Sequence, residues 1–411
     1  MALTLDVFDV QSVALGTRRW LAGELRVDLA AIEQTLLALP AVADVAVQLV
    51  RPHTKVRINN VVDVVVPVVD ADDPEASFPG LTGHARAAGI GRRNVLEGLV
   101  VISTSRSLLA PEDGPSIIDM DGPGASLVPW SEVFAIVLAF QLDTSQPLAV
   151  GERSVRLGSL RVARDLAFAT VGAMPDHTLR LSLDPAPASL PAVALILQVG
   201  AEGVGRDTYF HGDPANLVAP RVVDPLEILD GALVSGAYGE AGTRNLTAFY
   251  QRNRLVRRLL SDHGRRLRFC GVVLTLGYLD DATAKRRMAE QAIGLAVDLG
   301  AEGAVLTTFG GGNSHTDTML TCQVAEERGI RTVVIVAETN GGLTDYVPAA
   351  NAIISTGNED EVVSGWTPDE VVGGDRLPDG RDAHDAGPMR TLHYVGAVAQ
   401  MGDSWLTAAP A

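Results

Sequence analysis

The C-terminal half of the chain alternates short apolar runs with longer segments whose apolar positions recur at helical spacing. The apolar runs cover residues 192–199, 269–276, 304–308, 332–338 and 352–356. Helical patterns occupy about 245–262, 282–299 and a stretch ending near 328, and each is followed by a glycine, the residue that ends helices by adopting a positive φ. Apolar strands separated by amphipathic helices are typical of a parallel sheet covered on both faces. We therefore predict an α/β fold with a doubly wound, mostly parallel C-terminal sheet.

The N-terminal half is rich in strands and poor in long helical patterns. β-branched residues between turn residues predict strands at 43–52, 55–69 and 95–104. Helical spacing predicts one helix at 29–39, before Pro40, and another at 157–173. The Pro-rich stretch DPAPASLPA follows at 184–192. We place a domain boundary there, between a strand-rich α+β domain at 1–185 and an α/β domain at 186–411.

The net charge of the chain argues against two classes of binding partner. The chain has 33 Lys and Arg against 50 Asp and Glu, a net charge of −17. Such an excess of carboxylates repels a phosphate backbone and an anionic membrane surface, so we expect neither nucleic-acid binding nor membrane docking. The simplest interpretation is that the negative charge keeps the protein soluble.

Cysteine use and the N-terminus indicate a cytoplasmic protein. The two cysteines, Cys270 and Cys322, form no CxxC pair, so a disulfide framework or a thiolate zinc site has no support. Cys270 lies within an apolar strand and Cys322 about two turns into a predicted helix, too far from the helix start for its pKa to be lowered much, so both are expected to be inert core residues rather than nucleophiles. The first residues, MALTLDVFDVQSVALG, lack the features of a signal peptide, and no apolar run approaches the roughly 20 residues that cross a bilayer.

Three loops rich in small polar residues follow predicted strands of the C-terminal half. We call them the first loop (309–317, FGGGNSHTD), the second loop (337–345, AETNGGLTD) and the third loop (355–361, STGNEDE). In an open parallel sheet, ligands bind at the carboxyl ends of the strands, and a helix start attracts anions. The alternative for each loop is a tight crossover, with Ser314 or Thr316 capping the helix. We predict substrate contacts from Gly311, Gly312, Asn313, Ser314, Thr339, Asn340, Gly357 and Asn358.

His315 and Asp317 are the predicted catalytic residues. They lie two positions apart beside the glycines, and could act as acid and base or contact an amine and a carboxylate. The alternative is that His315 is a solvated capping residue. The remaining histidines show no ligand spacing, so no metal site is predicted.

Seven strings along the chain together resemble one family. In order, they read RPHTKVRINNVVDVVVPVV, FPGLTG, GRRNVLEGLVVIST, IIDMDGPGA, GRDTYFHG, DPLEILDGALVSG and GGGNSHTDTML. They resemble the pyruvoyl-subunit precursor of component B of glycine/sarcosine/betaine reductase, to which the D-proline reductase precursor is related. The resemblance runs nearly end to end and weakens after about residue 362.

This resemblance implies a subunit of a complex that binds an amino acid or an N-methylated amino acid. The partner subunit of such a complex carries a selenocysteine or cysteine that attacks the substrate, and a C–N bond is cleaved reductively. The family's precursor cuts itself at a cysteine after a Gly-Asn pair, downstream of DGA-VSG, and that cysteine becomes the pyruvoyl group. Here the segment reads DGALVSGAYGEAG, with Ala237 in place of the asparagine and Tyr238 in place of the cysteine.

The departure at Tyr238 predicts an uncut chain without a pyruvoyl group. Self-cleavage needs a side chain that attacks the preceding carbonyl and then eliminates, as Cys, Ser and Thr can. A tyrosine hydroxyl sits across a rigid ring and has no β-leaving group. Ser235 and Thr243 are nearby hydroxyls, but neither occupies the matched position.

Two hypotheses of function follow. In the first, the chain is the substrate-binding subunit of an oligomeric reductase-type complex, acting without a covalent anchor on a substrate that forms no Schiff base. In the second, the fold has been reused as a binding or scaffold subunit, or as an enzyme of another class in a specialised pathway.

Overall fold

A computed structural model describes residues 2–82, 87–105, 115–239, 241–338, 350–376 and 381–401. The helices α1 and α2 cover Leu29–Leu37 and Leu148–Ala167. The strands of the N-terminal half are β1 (Ala2–Asp9), β2 (Ser12–Leu15), β3 (Arg19–Leu21), β4 (Glu24–Val27), β5 (Val42–Val50), β6 (Val56–Ile58), β7 (Val61–Val65), β8 (Val68–Asp70), β9 (Gly91–Glu97), β10 (Leu99–Ser105), β11 (Ile118–Asp119), β12 (Phe134–Leu142) and β13 (His177–Ser182).

The later half contains five further helices among the described residues. They are α3 (Pro225–Leu229), α4 (Thr247–Gln251), α5 (Arg254–Asp262), α6 (Ala282–Asp298) and α7 (Asn313–Glu327). Its strands are β14 (Ala192–Val199), β15 (Arg206–Phe210), β16 (Asp213–Pro214), β17 (Arg221–Val223), β18 (Leu233–Ala237), β19 (Arg268–Leu276), β20 (Gly303–Thr307), β21 (Arg331–Glu338), β22 (Ala352–Asn358), β23 (Val362–Val363), β24 (Glu370–Val372) and β25 (Met389–Arg390). None of the helices in the described ranges is long and apolar enough to cross a membrane.

The N-terminal half is strand-rich, as predicted, with two four-stranded sheets in the orders β13-β1-β9-β8 and β5-β12-β10-β7. The single strand predicted at 55–69 is wrong, because the chain forms β6, β7 and β8 there. Asn60 adopts a positive φ of 54° and Pro67 cannot donate to a ladder, so the backbone bends at both places. The strand predicted at 95–104 is likewise divided, at Gly98, whose φ is 82°.

The long helix α2 begins earlier than the predicted 157–173 and ends at Ala167. Gly151 and Gly158 interrupt the apolar pattern in the first turns of α2, where both glycines are sites of close packing. A Cβ on Gly151 would lie 2.8 Å from Cδ1 of Leu142, and one on Gly158 would lie 2.9 Å from Cδ1 of Leu39. The glycines let the helix approach the sheet and α1.

The C-terminal half is organised around a six-stranded sheet in the order β17-β19-β14-β20-β21-β22. The strands β19, β14, β20, β21 and β22 are parallel, and the edge strand β17 is antiparallel. The predicted apolar runs are therefore confirmed as strands of a mostly parallel sheet. The finer prediction of a doubly wound sheet stays a prediction.

Alternate residues of β14 belong to different hydrophobic clusters. Ala194 and Ile196 pack with residues of α6 and α7. Leu195 and Leu197 lie in a cluster that also contains Leu5 and Val64 from the N-terminal half. The boundary predicted at 185 stays a prediction, although apolar residues from both sides of it share this cluster.

The helix predicted at 245–262 is two helices, α4 and α5. Asn253 separates them, because its side-chain oxygen accepts a hydrogen bond from the Val256 N–H at 2.8 Å and caps α5. The predicted positive φ is confirmed at Gly264, Gly300 and Gly329, with values of 75°, 71° and 78°.

Candidate active site

The segment 237–239, here called the processing segment, begins at the last residue of β18. Ala237 pairs with Arg206 of β15 in an antiparallel ladder. The Tyr238 N–H donates to the carbonyl oxygen of Gly205 at 2.8 Å, and the Tyr238 carbonyl accepts from Nη2 of Arg244 at 2.5 Å. The backbone around the 237–238 bond is therefore held on both sides.

The side chain of Tyr238 is only 2% exposed, and its hydroxyl contacts the long helix α2. The hydroxyl lies 3.3 Å from Oε1 of Glu152, which in turn accepts from Nε of Arg156 at 2.8 Å. Tyr209 reaches the other carboxylate oxygen of Glu152, at 3.5 Å. Burial, followed by the charge of Glu152, raises the pKa of Tyr238 well above its usual value. The phenol therefore stays neutral and occupies a structural position.

Arg244 was missed at the sequence level and is the main cation at the processing segment. It is 3% exposed, and its Nε donates to the Gly239 carbonyl at 3.2 Å. Its Nη1 donates to the Val61 carbonyl at 2.5 Å and lies 3.0 Å from Oγ of Ser116. Burial lowers the pKa of Arg244 to about 10, so the group remains charged at neutral pH. No motif around Arg244, in the segment AGTRNLT, could have signalled it.

Asp63, a second residue that the sequence did not single out, lies near Arg244. Its Oδ1 accepts from the Thr247 N–H at 2.9 Å and its Oδ2 accepts from Oγ1 of Thr247 at 2.6 Å, so it binds the first turn of α4. Burial raises the pKa of Asp63 to about 7, although the hydrogen bonds from Thr247 and Val64 oppose the shift.

The first loop connects β20 to α7 and is bound to neighbouring strands. The Phe309 N–H donates to Oε1 of Gln198 at 2.9 Å, and the Gly311 N–H donates to the hydroxyl of Tyr278 at 3.1 Å. The Ser314 hydroxyl donates back to the Gly311 carbonyl at 3.1 Å. Gly312, with φ 59°, precedes the helix, and no side chain of the loop caps α7 there.

Asn313 and Asp317 share one cation, Lys285 of α6. Nζ of Lys285 lies 2.8 Å from Oδ1 of Asn313 and 2.7 Å from Oδ1 of Asp317. Both side chains also contact Leu279: Asn313 donates to its carbonyl at 3.1 Å, and Asp317 accepts from its N–H at 3.2 Å. Burial raises the pKa of Asp317, and the hydrogen bond from Lys285 opposes the shift. The pair ties the first loop to the start of α6.

His315 is not a solvated capping residue, because it is only 4% exposed. Its Nε2 lies 3.1 Å from Oε1 of Gln400, which also accepts from the Ala337 N–H at 2.9 Å. The amide nitrogen of Gln400 donates to the Gly310 carbonyl. Residues two apart on a helix lie about 200° apart around the axis, so His315 and Asp317 face different partners. Their catalytic roles stay predictions.

The substrate contacts predicted in the second and third loops differ in where the structure places them. Gly357 and Asn358 are the last residues of β22 rather than loop residues, and Asn358 pairs with Glu338 of β21. Oδ1 of Asn358 accepts from the Asp360 N–H at 2.9 Å and shapes a turn. Thr339 and Asn340 lie outside the described residues.

A small cavity joins the processing segment to the first loop. Its volume is about 40 Å³, and its lining consists of Glu202, Arg206, Ala237, Gly239, Thr243, Arg244, Tyr278, Phe309 and Gly310. The rings of Tyr278 and Phe309 meet edge to face with centroids 6.1 Å apart. Arg206 lies 3.3 Å from Glu202. The structure thus brings Ala237 and the start of the first loop to one cavity, beside two arginines and one glutamate.

The cysteines and possible metal ligands do not add to this site. Cys322 is buried beside Oγ1 of Thr332 at 3.0 Å, Cys270 is partly buried, and burial raises the pKa of both thiols. Within the described ranges, no three His, Cys, Asp or Glu side chains group as metal ligands would.

Comparison with known proteins places the chain in a family. A family model for glycine/sarcosine/betaine reductase component B subunits matches residues 1–400. The chain belongs to this family. The resemblance read from the seven strings is therefore confirmed, and it supports a reductase-type role at the level of the family.

Relatives within the reductase component B family cover almost the whole chain. The chain is 28% identical to the glycine reductase complex component B subunits alpha and beta of Peptoclostridium acidaminophilum, over 94% of each chain. It is 29% identical to the sarcosine reductase complex component B subunit alpha of that organism, over 91% of this chain and 89% of the relative. It is 26% identical to the betaine reductase complex component B subunit alpha, over 92% and 94%. No solved structure gives a significant match.

Proposed function

We propose that this chain is a non-pyruvoyl homologue of the substrate-binding subunit of a glycine/sarcosine/betaine reductase-type complex. One observation carries the proposal. Tyr238 stands where the resemblance places the processing cysteine, and its hydroxyl is engaged with Glu152 at 3.3 Å. Membership of the family supplies the reductase-type role, and the named relatives are components of such complexes.

The chemistry of Tyr238 argues for an intact backbone. Attack on the carbonyl of Ala237 requires a nucleophile one bond from Cβ, as in Cys, Ser or Thr. The phenolic oxygen lies across the ring, is directed at Glu152, and leaves no β-bond to eliminate. The residues at this position therefore do not fit the formation of a pyruvoyl group.

Without a ketone the subunit forms no Schiff base, which favours a substrate with a quaternary or otherwise non-condensing nitrogen. Arg206 and Arg244 at the small cavity supply charge for a carboxylate, and Glu202 with the rings of Tyr278 and Phe309 supplies charge and aromatic surface for a cationic group. A thiolate or selenolate of the partner subunit would attack the substrate carbon. The C–N bonding electrons leave with the amine as its lone pair while the C–S or C–Se bond forms, and the free amine then takes up a proton from water.

The size of the cavity favours a second candidate function. About 40 Å³ accommodates roughly one or two waters, not an amino acid. A chain that kept this closed form would serve as a binding or scaffold subunit, or as an enzyme of another class, without reductase activity.

Intact-mass measurement of the protein isolated from its source tests the proposal. We expect one chain of 43.2 kDa that does not react with a hydrazine. Two fragments, with a new keto-terminated chain beginning at residue 238, would refute it. Native mass spectrometry of the same sample separates the two functions: a reductase subunit is expected to carry a partner with a reactive Cys or selenocysteine, and its absence would favour the second candidate.

A further inference from the structure

A second cavity, separate from the small cavity at the processing segment, lies along α2. Its volume is about 660 Å³, and the two cavities share no lining residue. Small-molecule sites usually measure roughly 300–1,000 Å³. Three arginines, Arg153, Arg156 and Arg161, line it against a single acid, Glu152.

The charges in this cavity are not balanced. The charge of Arg156 is compensated, because its Nε lies 2.8 Å from Glu152 and its guanidinium stacks 3.6 Å from the centroid of the Tyr209 ring. Arg153 is exposed and Arg161 half-buried, and neither joins an ion pair with any part of the chain that the structure describes. Two uncompensated guanidinium groups thus face one concave surface on a chain whose net charge is −17.

Two glycines whose backbones lie close together, Gly80 and Gly212, also line this cavity. A Cβ on Gly80 would lie 2.1 Å from the carbonyl oxygen of His211, and one on Gly212 would lie 2.4 Å from the carbonyl oxygen of Gly80. Both glycines have a positive φ, of 76° and 89°. Any side chain at either position would force the two backbones apart. Gly80 belongs to the string FPGLTG and Gly212 ends the string GRDTYFHG, and neither glycine lines the small cavity.

Apolar side chains complete the lining beside the arginines. Leu39, Leu81 and Leu157 contribute aliphatic surface, and Tyr209 contributes an aromatic one. A mainly apolar wall with a few fixed polar groups is the usual character of a site for an organic ligand. A guanidinium group selects carboxylate or phosphate, which its planar fork of N–H donors binds through two parallel hydrogen bonds.

We propose that this cavity binds a small organic anion. Arg153 and Arg161 supply the guanidinium groups that attract its carboxylate or phosphate, and its apolar body lies against the leucines. Glu152 forms part of the floor and accepts the hydrogen bond of Tyr238, so the site adjoins the back of the processing segment. The inference does not depend on reductase activity or on the state of the 237–238 bond.

Isothermal titration of the full-length protein at constant ionic strength tests the proposal. The probes are hexanoate and hexyl phosphate, which share a body and differ in the anionic group, with hexanol as the neutral counterpart. We expect saturable one-site binding of at least one anion and none of hexanol. The ratio of the two affinities distinguishes a carboxylate site from a phosphate site.

Variants of the unpaired arginines locate the binding. The double variant Arg153→Gln/Arg161→Gln is expected to weaken it at least tenfold, and each single variant less. The matched control is Arg287→Gln, an exposed arginine on α6, which should bind as the wild type does. The site is overturned if neither anion saturates at millimolar concentration, if the double variant binds unchanged, or if Arg287→Gln weakens binding equally. Should the double variant fail to fold, the two single variants decide the outcome.

Discussion

The phenolic oxygen of Tyr238 lies 3.3 Å from Oε1 of Glu152, although 86 residues separate the two in the chain. Both side chains are 2% exposed. The contact joins the end of β18 to the second turn of α2, so it links the processing segment to the N-terminal half. The residue that stands where the resemblance places the processing cysteine is therefore integrated into the core.

Removing the Tyr238 hydroxyl should destabilise the protein without changing chain length. We expect Tyr238→Phe to lower the free energy of unfolding by about 1–3 kcal/mol, because Oε1 of the buried Glu152 carboxylate loses one of its two donors and keeps only Arg156. Urea unfolding measures the change. Tyr209→Phe is the matched control, with a smaller loss expected from its longer 3.5 Å contact. Wild-type stability of Tyr238→Phe would show that the hydrogen bond contributes nothing.

Neutralising Glu152 should cost more. Glu152→Gln leaves the buried Arg156 guanidinium without its carboxylate, and breaking such a pair costs about 3–5 kcal/mol of unfolding free energy. The control is Glu290→Gln, which removes an exposed pair of the same i,i+4 spacing and the same 2.8 Å distance to Arg286. Little change is expected there. Equal effects of the two variants would mean that burial of the Glu152 pair has no energetic consequence.

Asp63 should make stability depend on pH between about 4 and 7. Its pKa rises from 3.8 to about 7 on folding, so the folded state favours the protonated acid. The stability it contributes is complete below the lower value and is lost as pH rises through the upper one. The slope from one proton is at most about 1.4 kcal/mol per pH unit.

The difference between wild type and Asp63→Asn isolates this effect, measured by urea unfolding across that range. In the variant, the free energy of unfolding should no longer show the part of the pH dependence that comes from the titration of Asp63. Asp143→Asn serves as control, because hydrogen bonds from Ser145 lower the pKa of the Asp143 carboxyl and keep it ionised throughout the window. An unchanged slope in Asp63→Asn would contradict a protonated, buried Asp63.

The first loop offers a test of catalysis against scaffolding. If it carries the chemistry, His315→Asn and Asp317→Asn should abolish turnover by the assembled complex while the circular dichroism spectrum is kept. Thr316→Ala, in the same turn, should retain turnover. A scaffold would keep its partner in native mass spectrometry in all three variants and show no turnover to lose. Full turnover in both His315→Asn and Asp317→Asn would reject the catalytic prediction.

Local patterns were sufficient for the strands and helices of the C-terminal sheet. The run 192–199 coincides with β14, and the helix predicted at 282–299 differs from α6 by one residue. A strand buried on both faces and a helix buried on one face each produce a characteristic pattern of apolar residues over a short stretch of the chain. Segments whose structure depends on tertiary packing were harder to predict from the sequence. The early start of α2 lies among glycines whose purpose is a close approach to Leu142 and Leu39.

The sequence by itself determined the family, the order of the parallel strands of the C-terminal sheet with α6 and α7 between them, and the presence of a tyrosine where the resemblance places a cysteine. These follow from residues adjacent in the chain. Only the tertiary structure decided what surrounds them: Glu152 against Tyr238, Arg244 on the carbonyl of Val61 183 residues away, and Gln400 against His315 across 85 residues. Hydrogen bonds and ion pairs form between atoms that folding brings within about 3 Å. Their partners are set by the sum of all packing contacts, and no spacing along the chain encodes them.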